Sequence, residues 1–300
     1  MKKLYLIIGW SLAGLLCLVG LAAGVVYFWS SARLNRRHVV AVTPALVSSD
    51  AGAVERGHHI ATTRGCLKCH GEDLAGGKVV DNPMIGKIFG PNLTRGSGGL
   101  PVGFANEGWV RAIRHGVGHD GRPLVIMPSV EYSQLSETDF GALLAFLIAA
   151  PNVDRDSVPV RLGPVGRMLI ATGKLPLAAE VIDHTKVRAS EVAPGVTVEY
   201  GRYLAANCIG CHGSNLSGGK IHGAPPDWPP SSNLTPIADG PLAHWTEEDF
   251  IAALRSRRRP NGTELNTVMP SAFGHMTDDE LRALWIFLRS LPPSATGSSS

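Results

Sequence analysis

The chain has 300 residues, of which 44% are apolar and 18% are charged, and its formal net charge is +3. Residues 1–51 contain five Lys/Arg and one Asp, a net charge of +4, so the remaining residues carry a net charge of −1. A surface without an excess of basic residues argues against nucleic acid as a partner.

The first predicted element is a membrane-spanning helix. The segment Leu4–Trp29 has 26 residues without a charge, which is long enough to cross a bilayer with some tilt. The alternative is a cleaved signal peptide, because residues 30–32 read Ser-Ser-Ala, although the apolar core of a signal peptide is usually shorter. Lys2 and Lys3 favour a cytoplasmic N-terminus, whereas the arginines at 33, 36 and 37 oppose that orientation.

The next element is the motif Cys-Leu-Lys-Cys-His, formed by Cys66, Cys69 and His70. Three chemistries use two cysteines at this spacing: a redox dithiol, a zinc site, and the attachment site of a c-type haem. In haem attachment each thiol adds across one vinyl group, and the adjacent histidine becomes the proximal ligand of the iron. The dithiol usually lies in a βαβ unit, and neither rival explains the histidine.

The same motif recurs 142 residues later as Cys208, Cys211 and His212. Other parts of the sequence repeat at nearly the same offset: Leu-x-Gly-Gly-Lys, Asn-Leu-Thr, Met-Pro-Ser and an apolar segment that ends in proline. A sequence repeat of this length predicts two copies of one domain of ordinary size.

Matched spacing identifies the candidate second ligands of the iron. His70 lies 57 residues before Met127, and His212 lies 57 residues before Met269. Both methionines are followed by Pro-Ser, so we predict them as axial ligands. The unmatched alternatives, with the histidines expected at the surface, are Met84, His115 and His119 in the first copy and His222, His244, His275 and Met276 in the second.

The two halves resemble class I cytochrome c domains, and together they are similar to the di-haem cytochromes c of bacterial membrane-bound dehydrogenases. The resemblance covers Gly52–Pro293 and depends on the paired CxxCH…MP pattern. It implies an all-α fold and two haem c groups. For covalent attachment it implies Cys66, Cys69, Cys208 and Cys211, and as axial pairs it implies His70/Met127 and His212/Met269. It also implies that the carbonyl of Pro91 holds the proximal imidazole of the first half, and Pro230 is the candidate for the same role in the second half.

Helical periodicity agrees with that fold. The predicted helices are Val54–Ile60, Trp109–His115, Val198–Leu204 and Phe250–Arg255, followed in each copy by a last helix that begins at Ser136 or Thr277. Thr277 with Glu280 forms a capping box. The predicted divisions are an anchor (1–51), domain 1 (52–151), a connector with a short helix within Leu162–Gly173 (152–194), domain 2 (195–293) and a tail (294–300).

These features predict electron transfer without catalysis, because an iron with two protein ligands has no open position for substrate. The expected protein is anchored in the cytoplasmic membrane with its haem domains in the periplasm, since cytochromes c receive haem outside that membrane. By resemblance the donor is a dehydrogenase, and the acceptor is quinone, a soluble cytochrome c or an oxidase. The alternatives are a haem c subunit of a terminal oxidase and a di-haem peroxidase-like enzyme.

Overall fold

The computed structural model describes residues 2–221, 223–224 and 228–298 and begins with one long helix, α1 (Lys2–Leu34). Its apolar side chains are exposed along nearly the whole length, and Ser30 is its buried residue. Among the described residues it is the one helix long and apolar enough to cross a membrane. The next residues, 35–50, run along the first half: the backbone N–H of His38 donates to the carbonyl of Gly121, and Ala45 pairs with the side chain of Asn106.

Each half contains a pair of crossing helices that frames a motif helix. The helices of the first half are α2 (Ala53–Thr63), α3 (Cys66–His70), α4 (Asn106–His115), α5 (Ser129–Tyr132) and α6 (Glu137–Ala149). Those of the connector are α7 (Pro164–Ala171) and α8 (Ala178–Val181), and those of the second half are α9 (Val198–Ala205), α10 (Ile209–His212), α11 (Glu247–Ser256) and α12 (Asp278–Ser290). All predicted helices are confirmed, including the caps at Ser136 and Thr277.

A glycine allows the crossing helices of each half to approach closely. A Cβ at Gly57 of α2 would lie 2.1 Å from the carbonyl oxygen of Ala142 in α6. A Cβ at Gly201 of α9 would lie 2.0 Å from the carbonyl oxygen of Ala283 in α12. Because real side chains do not tolerate such distances, only glycine fits at these two crossings.

The fold is predominantly helical but not all-α. The first half contains a small antiparallel sheet in the order β1 (Gly77–Asn82), β2 (Gly86–Gly90) and β3 (Arg161–Leu162). The sequence signal was weak because β1 and β2 are short and rich in glycine and charged residues, and because β3 has two residues and comes from the connector. The second half has an isolated bridge between Gly219 and Ser231 at the position of the β1–β2 pair.

The connector is ordered and lies mainly over the first half. Val153 and Arg155 accept hydrogen bonds from the side chain of Asn92, β3 extends the sheet, and the carbonyls of Ala189 and Ser190 accept from the first turn of α6. Helix α7 confirms the short helix predicted within Leu162–Gly173.

Two charged contacts fix α1 to the connector. Arg33 pairs with Glu180 and also donates to the carbonyl of Ile170. The guanidinium of Arg167 in α7 lies 4.3 Å from the ring centre of Tyr27 and donates to the hydroxyls of Ser30 and Ser31. The end of α1 and helix α7 therefore form one packed unit.

Candidate functional sites

The two Cys-x-x-Cys-His motifs form short helical turns at the edge of an apolar core. In α3, Cys66 packs against the cluster that contains Leu67, Trp109 and Phe140. Cys208, directly before α10, is buried in the equivalent cluster of the second half. The structure thus gives the two motifs the same local placement.

Burial favours the protonated form of the four thiols. It raises the pKa of Cys66 and of Cys208 to about 12, and it also raises the pKa of Cys69 and Cys211. A reactive dithiol requires thiolates, which arise where the thiol pKa is lowered. The raised pKa values therefore argue against the redox dithiol. Among the residues that the structure describes, no three or more His, Cys, Asp or Glu side chains form a group able to hold a metal ion.

A backbone carbonyl orients the imidazole of each motif. The Nδ1 of His70 lies 3.0 Å from the carbonyl oxygen of Pro91. Because a carbonyl only accepts, Nδ1 carries the proton and Nε2 keeps its lone pair. Burial lowers the pKa of His70 although the bond to Pro91 opposes the shift, so the neutral, ligating form is favoured.

In the second half the orienting carbonyl belongs to Ser232, which lies 2.7 Å from Nδ1 of His212. The guess of Pro230 is wrong, because the position that matters is the residue directly before Asn-Leu-Thr, and that residue is Pro91 in one half and Ser232 in the other. Any residue supplies the carbonyl, so proline is not required. Burial also lowers the pKa of His212.

The repeated Asn-Leu-Thr segment fixes these carbonyls. The side-chain oxygen of Asn92 accepts from the backbone and hydroxyl of Thr94, and its amide donates to the connector. Asn233 makes the same bonds to Thr235 and donates to the carbonyl of Ser294. All four side chains are buried. The repeated Asn-Leu-Thr segment therefore connects the loop that orients each histidine, through hydrogen bonds, to the chain that follows the last helix of its half.

The turn after each motif is also repeated in its backbone. Leu74 and Leu216 both adopt positive φ angles, 56° and 62°, which leucine rarely does. Both are buried, and their carbonyls accept from Leu93 and Leu234 respectively. Strain of this kind persists where the surrounding structure imposes it, and it occurs here beside the two motifs.

The motif helices pack tightly against the neighbouring loops. A Cβ at Gly90 would lie 2.0 Å from the carbonyl oxygen of Cys69, so this position admits glycine only. At the equivalent place in the second half, the hydroxyl of Ser231 donates to the carbonyl of Cys211 at 2.7 Å. Sequence reasoning missed Ser231, although its alignment with Gly90 ahead of Asn-Leu-Thr was visible.

The predicted methionines lie in the same apolar clusters as the cysteines. Met127 packs against the cluster that Cys66 contacts, and Met269 packs against the cluster that contains Cys208. Both side chains are half-buried, and each precedes a helical turn, α5 or the 3-10 segment Ser271–His275. Each half therefore brings the first thiol of its motif and a thioether group to one apolar cluster, with the motif histidine four residues after that thiol, which fits a haem c group.

The alternative ligands are placed differently. Met84 is exposed, His119, His244 and His275 are exposed, and His222 lies outside the described residues. Met276 is fully buried as a core side chain. His115 corrects the expectation of a surface position: it is buried, its Nδ1 lies 2.9 Å from Nδ1 of His184, and burial lowers its pKa to about 4.

The two sites contact each other through the turns that follow the methionines. Glu131 of α5 reaches the second motif, where a Cβ on Gly210 would lie 2.2 Å from its Oε1. From the second half, the Cβ of Ala272 would lie 3.8 Å from a Cβ on Gly65 of the first motif. Burial raises the pKa of Glu131, so its carboxyl group is less readily ionised than at the surface.

A polar network joins the halves next to the motifs. Asp139 accepts from Arg56 at 2.8 Å and from the hydroxyl of Tyr203 at 2.6 Å. Nearby, His59 lies 2.8 Å from Glu280. Arg56, His59, Asp139 and Glu280 border a cleft of about 390 Å³ between the halves. The guanidinium of Arg64, directly before the first motif, lies 5.3 Å from the ring centre of Tyr203.

Two family models match the chain, one in each half. Residues 198–292 match the family described as cytochrome c. Residues 52–147 match the family described as cytochrome c oxidase, cbb3-type, subunit III. The chain carries two cytochrome c domains. Both matches contain the complete motif of their half, and such domains imply haem c with its iron.

Several relatives are similar in sequence over most of this chain. The cytochrome c subunit of alcohol dehydrogenase (quinone) from Gluconobacter oxydans (strain 621H) is 28% identical over 278 residues, covering 84% of this chain and 57% of the relative. The fructose dehydrogenase cytochrome subunit of Gluconobacter japonicus is 26% identical and covers 84% of this chain and 55% of the relative. The gluconate 2-dehydrogenase cytochrome c subunit of Pantoea cypripedii is 28% identical, with 79% and 59% covered. The chain thus spans less than two thirds of these relatives.

Proposed function

We propose that the protein is a membrane-tethered di-haem cytochrome c that carries single electrons from a periplasmic dehydrogenase to the respiratory chain. The observation that carries this proposal is the repeated site. In each half a carbonyl fixes Nδ1 of the motif histidine and leaves Nε2 free, while a methionine packs against the same apolar cluster as the first cysteine of the motif.

Each residue of a site has one role in this proposal. The cysteine pairs 66/69 and 208/211 hold haem c covalently, and the axial pairs are His70 with Met127 and His212 with Met269. Bound haem c supplies an iron that changes oxidation state by one electron. The carbonyls of Pro91 and Ser232 orient the imidazoles, and the apolar clusters limit access of water, which together with a thioether ligand favours the reduced state.

Carbon monoxide tests the carrier function directly. If a histidine and a methionine both bind the iron, no position would be left for another ligand, so the reduced protein would not bind carbon monoxide rapidly. Rapid stoichiometric binding at either haem contradicts the carrier function. It would instead support the peroxidase-like alternative, which needs one exchangeable position.

The membrane tether is supported by α1, whose apolar surface is exposed along its length. We place the haem domains in the periplasm, because cytochromes c receive their haem outside the cytoplasmic membrane. The dehydrogenase as donor is supported by the relatives, which are named as subunits of alcohol, fructose and gluconate dehydrogenases. Quinone, a soluble cytochrome c or an oxidase would accept the electrons.

The second candidate is a haem c subunit built into a terminal oxidase, and the match of the first half to a cbb3-type oxidase subunit favours it. Purification in mild detergent separates the two functions. Co-purification of a flavin, quinone-derived or molybdenum cofactor supports the dehydrogenase. Co-purification of copper together with haem of another type supports the oxidase and contradicts the dehydrogenase.

A further inference from the structure

Helix α7 exposes apolar side chains beside the end of α1. Met168 of α7 is 45% exposed, and Pro164 at its first turn is also exposed. Met84, in the turn between β1 and β2, is 53% exposed and adjoins α7, because its carbonyl accepts from the backbone N–H of Val165. We call these three residues, Met84, Pro164 and Met168, the α7 platform. Exposed apolar side chains grouped in this way are a candidate interaction surface.

The contacts of α7 fix the height of the platform along α1. Arg167, one residue before Met168, contacts Tyr27, Ser30 and Ser31 of the helix. The last large apolar residue before the next charged residue, Arg33, is Trp29, so these contacts lie where the apolar part of the helix stops. At a rise of about 1.5 Å per residue, Leu4–Trp29 is about 38 Å long and exceeds a hydrocarbon core of about 30 Å, so its last turns reach the headgroup level. The platform is therefore held at the surface of any bilayer that α1 crosses.

Exposed basic residues lie on or next to the elements that contact α7. Arg36 and Arg37 follow α1 and are exposed, and Lys174 is exposed just after α7. In the sheet, Lys87 of β2 lies directly opposite Arg161 of β3, and both are exposed.

Like charges in directly opposed positions destabilise a sheet unless an anion is nearby. Asp81, on the other side of Lys87, provides one such charge. The row Asp81–Lys87–Arg161 still carries one uncompensated positive charge. Surfaces that bind anionic lipid headgroups combine exposed apolar side chains with nearby Lys and Arg.

We propose that the α7 platform lies in the bilayer surface as a second membrane contact, with Met84 and Met168 among the upper acyl chains and the nearby basic residues at anionic headgroups. This inference depends on the proposed membrane tether. Lipid is the occupant that the structure favours, because the platform is continuous with α1 and held at its interfacial end. A protein partner at this surface is the competing outcome of the test.

Photocrosslinking of the full chain distinguishes these outcomes. Benzoylphenylalanine replaces Met168 in the full-length protein, which is reconstituted without any partner in nanodiscs of phosphatidylcholine and phosphatidylglycerol and irradiated. Mass spectrometry then measures the yield of lipid adducts. Leu18 in the middle of α1 is the matched position for deep lipid contact, and Val102, fully exposed in a loop of the first half, is the matched apolar position away from α1. Haem absorption verifies that each variant is folded.

We expect lipid adducts at position 168 in a yield comparable with position 18 and well above position 102. Adducts at position 18 without adducts at position 168 overturn the platform proposal and leave the membrane tether intact. Absence of adducts at both positions overturns the tether and the platform together. In native membranes, crosslinking of position 168 to a protein instead of lipid overturns the lipid proposal in favour of a docking surface.

Discussion

At the residue scale, the axial methionines give the sharpest test. Replacing Met127 or Met269 with alanine removes one thioether ligand, so each variant should lose half of the far-red absorption of ferric thioether coordination and lower one of the two midpoint potentials. Redox titration and absorption spectra measure both effects. Met84→Leu is the matched control, because this methionine is exposed and outside both clusters. Unchanged spectra and potentials in Met127→His would refute the assignment in the first half.

A second residue-scale prediction concerns attachment. Cys66→Ser removes one thiol of the first motif, so covalent haem binding should be impaired at that site alone. The intact mass of the purified protein and haem staining after denaturation report the loss. Cys17→Ser is the control, because this exposed cysteine lies in α1, far from either motif. Equal loss in the control would contradict the assigned role of Cys66.

At the residue scale, the carbonyl that orients the imidazole was predicted in one half and missed in the other. The structure places Nδ1 of His70 3.0 Å from the carbonyl oxygen of Pro91, as the resemblance implied. Ser232 was missed because its carbonyl, not its side chain, contacts His212. His115 was misplaced because its partner, His184, lies in the connector and only the fold brings the two rings together.

At the element scale, the contact between α6 and α2 depends on Asp139. Its side chain is 9% exposed and accepts from Arg56 and Tyr203, whereas the Arg56 side chain is 36% exposed. We expect Asp139→Ala to destabilise the protein by about 2 kcal/mol, between the values for buried and surface ion pairs. Denaturant unfolding measures this loss. The control, Asp73→Ala, breaks the exposed pair with Arg155 and should cost less than about 1 kcal/mol.

The ion pair between α2 and α12 makes stability depend on pH. The hydrogen bond to Glu280 raises the pKa of His59 above 6.5, so its stabilising effect is complete below pH 6.5 and is lost as the pH rises through the raised pKa. Burial alone would raise the pKa of Glu280, but the hydrogen bonds with His59 and Thr277 and the charges of His59 and Arg64 together lower it below 4.5. The stabilising effect of Glu280 is therefore present above pH 4.5 and is lost on further acidification. The pair therefore stabilises most between about pH 4.5 and 6.5.

His59→Gln keeps a hydrogen-bonding side chain but removes the charge. The melting temperature of the wild type should exceed that of this variant at pH 6, and the difference should shrink towards pH 9. His119→Gln, at an exposed position, should show no such pH-dependent difference. A difference for His59→Gln that grows with rising pH would contradict the sign of the pKa shift.

The elements themselves were predictable where periodicity and caps coincide. Thr277 and Glu280 form the capping box that the sequence indicates, and α12 begins there. The sheet was not predictable, because β3 is a two-residue piece of the connector whose pairing with β2 is a tertiary contact. Local patterns carry no information on such a distant partner.

At the scale of the whole molecule, α1 is expected to remain on the mature protein. The Arg33–Glu180 pair and the contacts of Arg167 join this helix to the connector, so we treat it as part of the folded body. The intact mass of the protein isolated from membranes should include α1, and alkaline carbonate should leave the protein in the membrane pellet. A mass corresponding to cleavage after Ala32, with release by carbonate, would establish the signal-peptide alternative.

The reciprocal packing of the two motifs limits how separable the halves are. Glu131 follows the methionine of one half and touches Gly210 of the other, while Ala272 follows the second methionine and faces Gly65 of the first. A duplicated domain is often regarded as a pair of exchangeable modules. Here a half transplanted from a relative would bring its own motif, but its residue at the position of Glu131 or Ala272 would not match the motif of the other half. The two copies therefore have to change their sequences together.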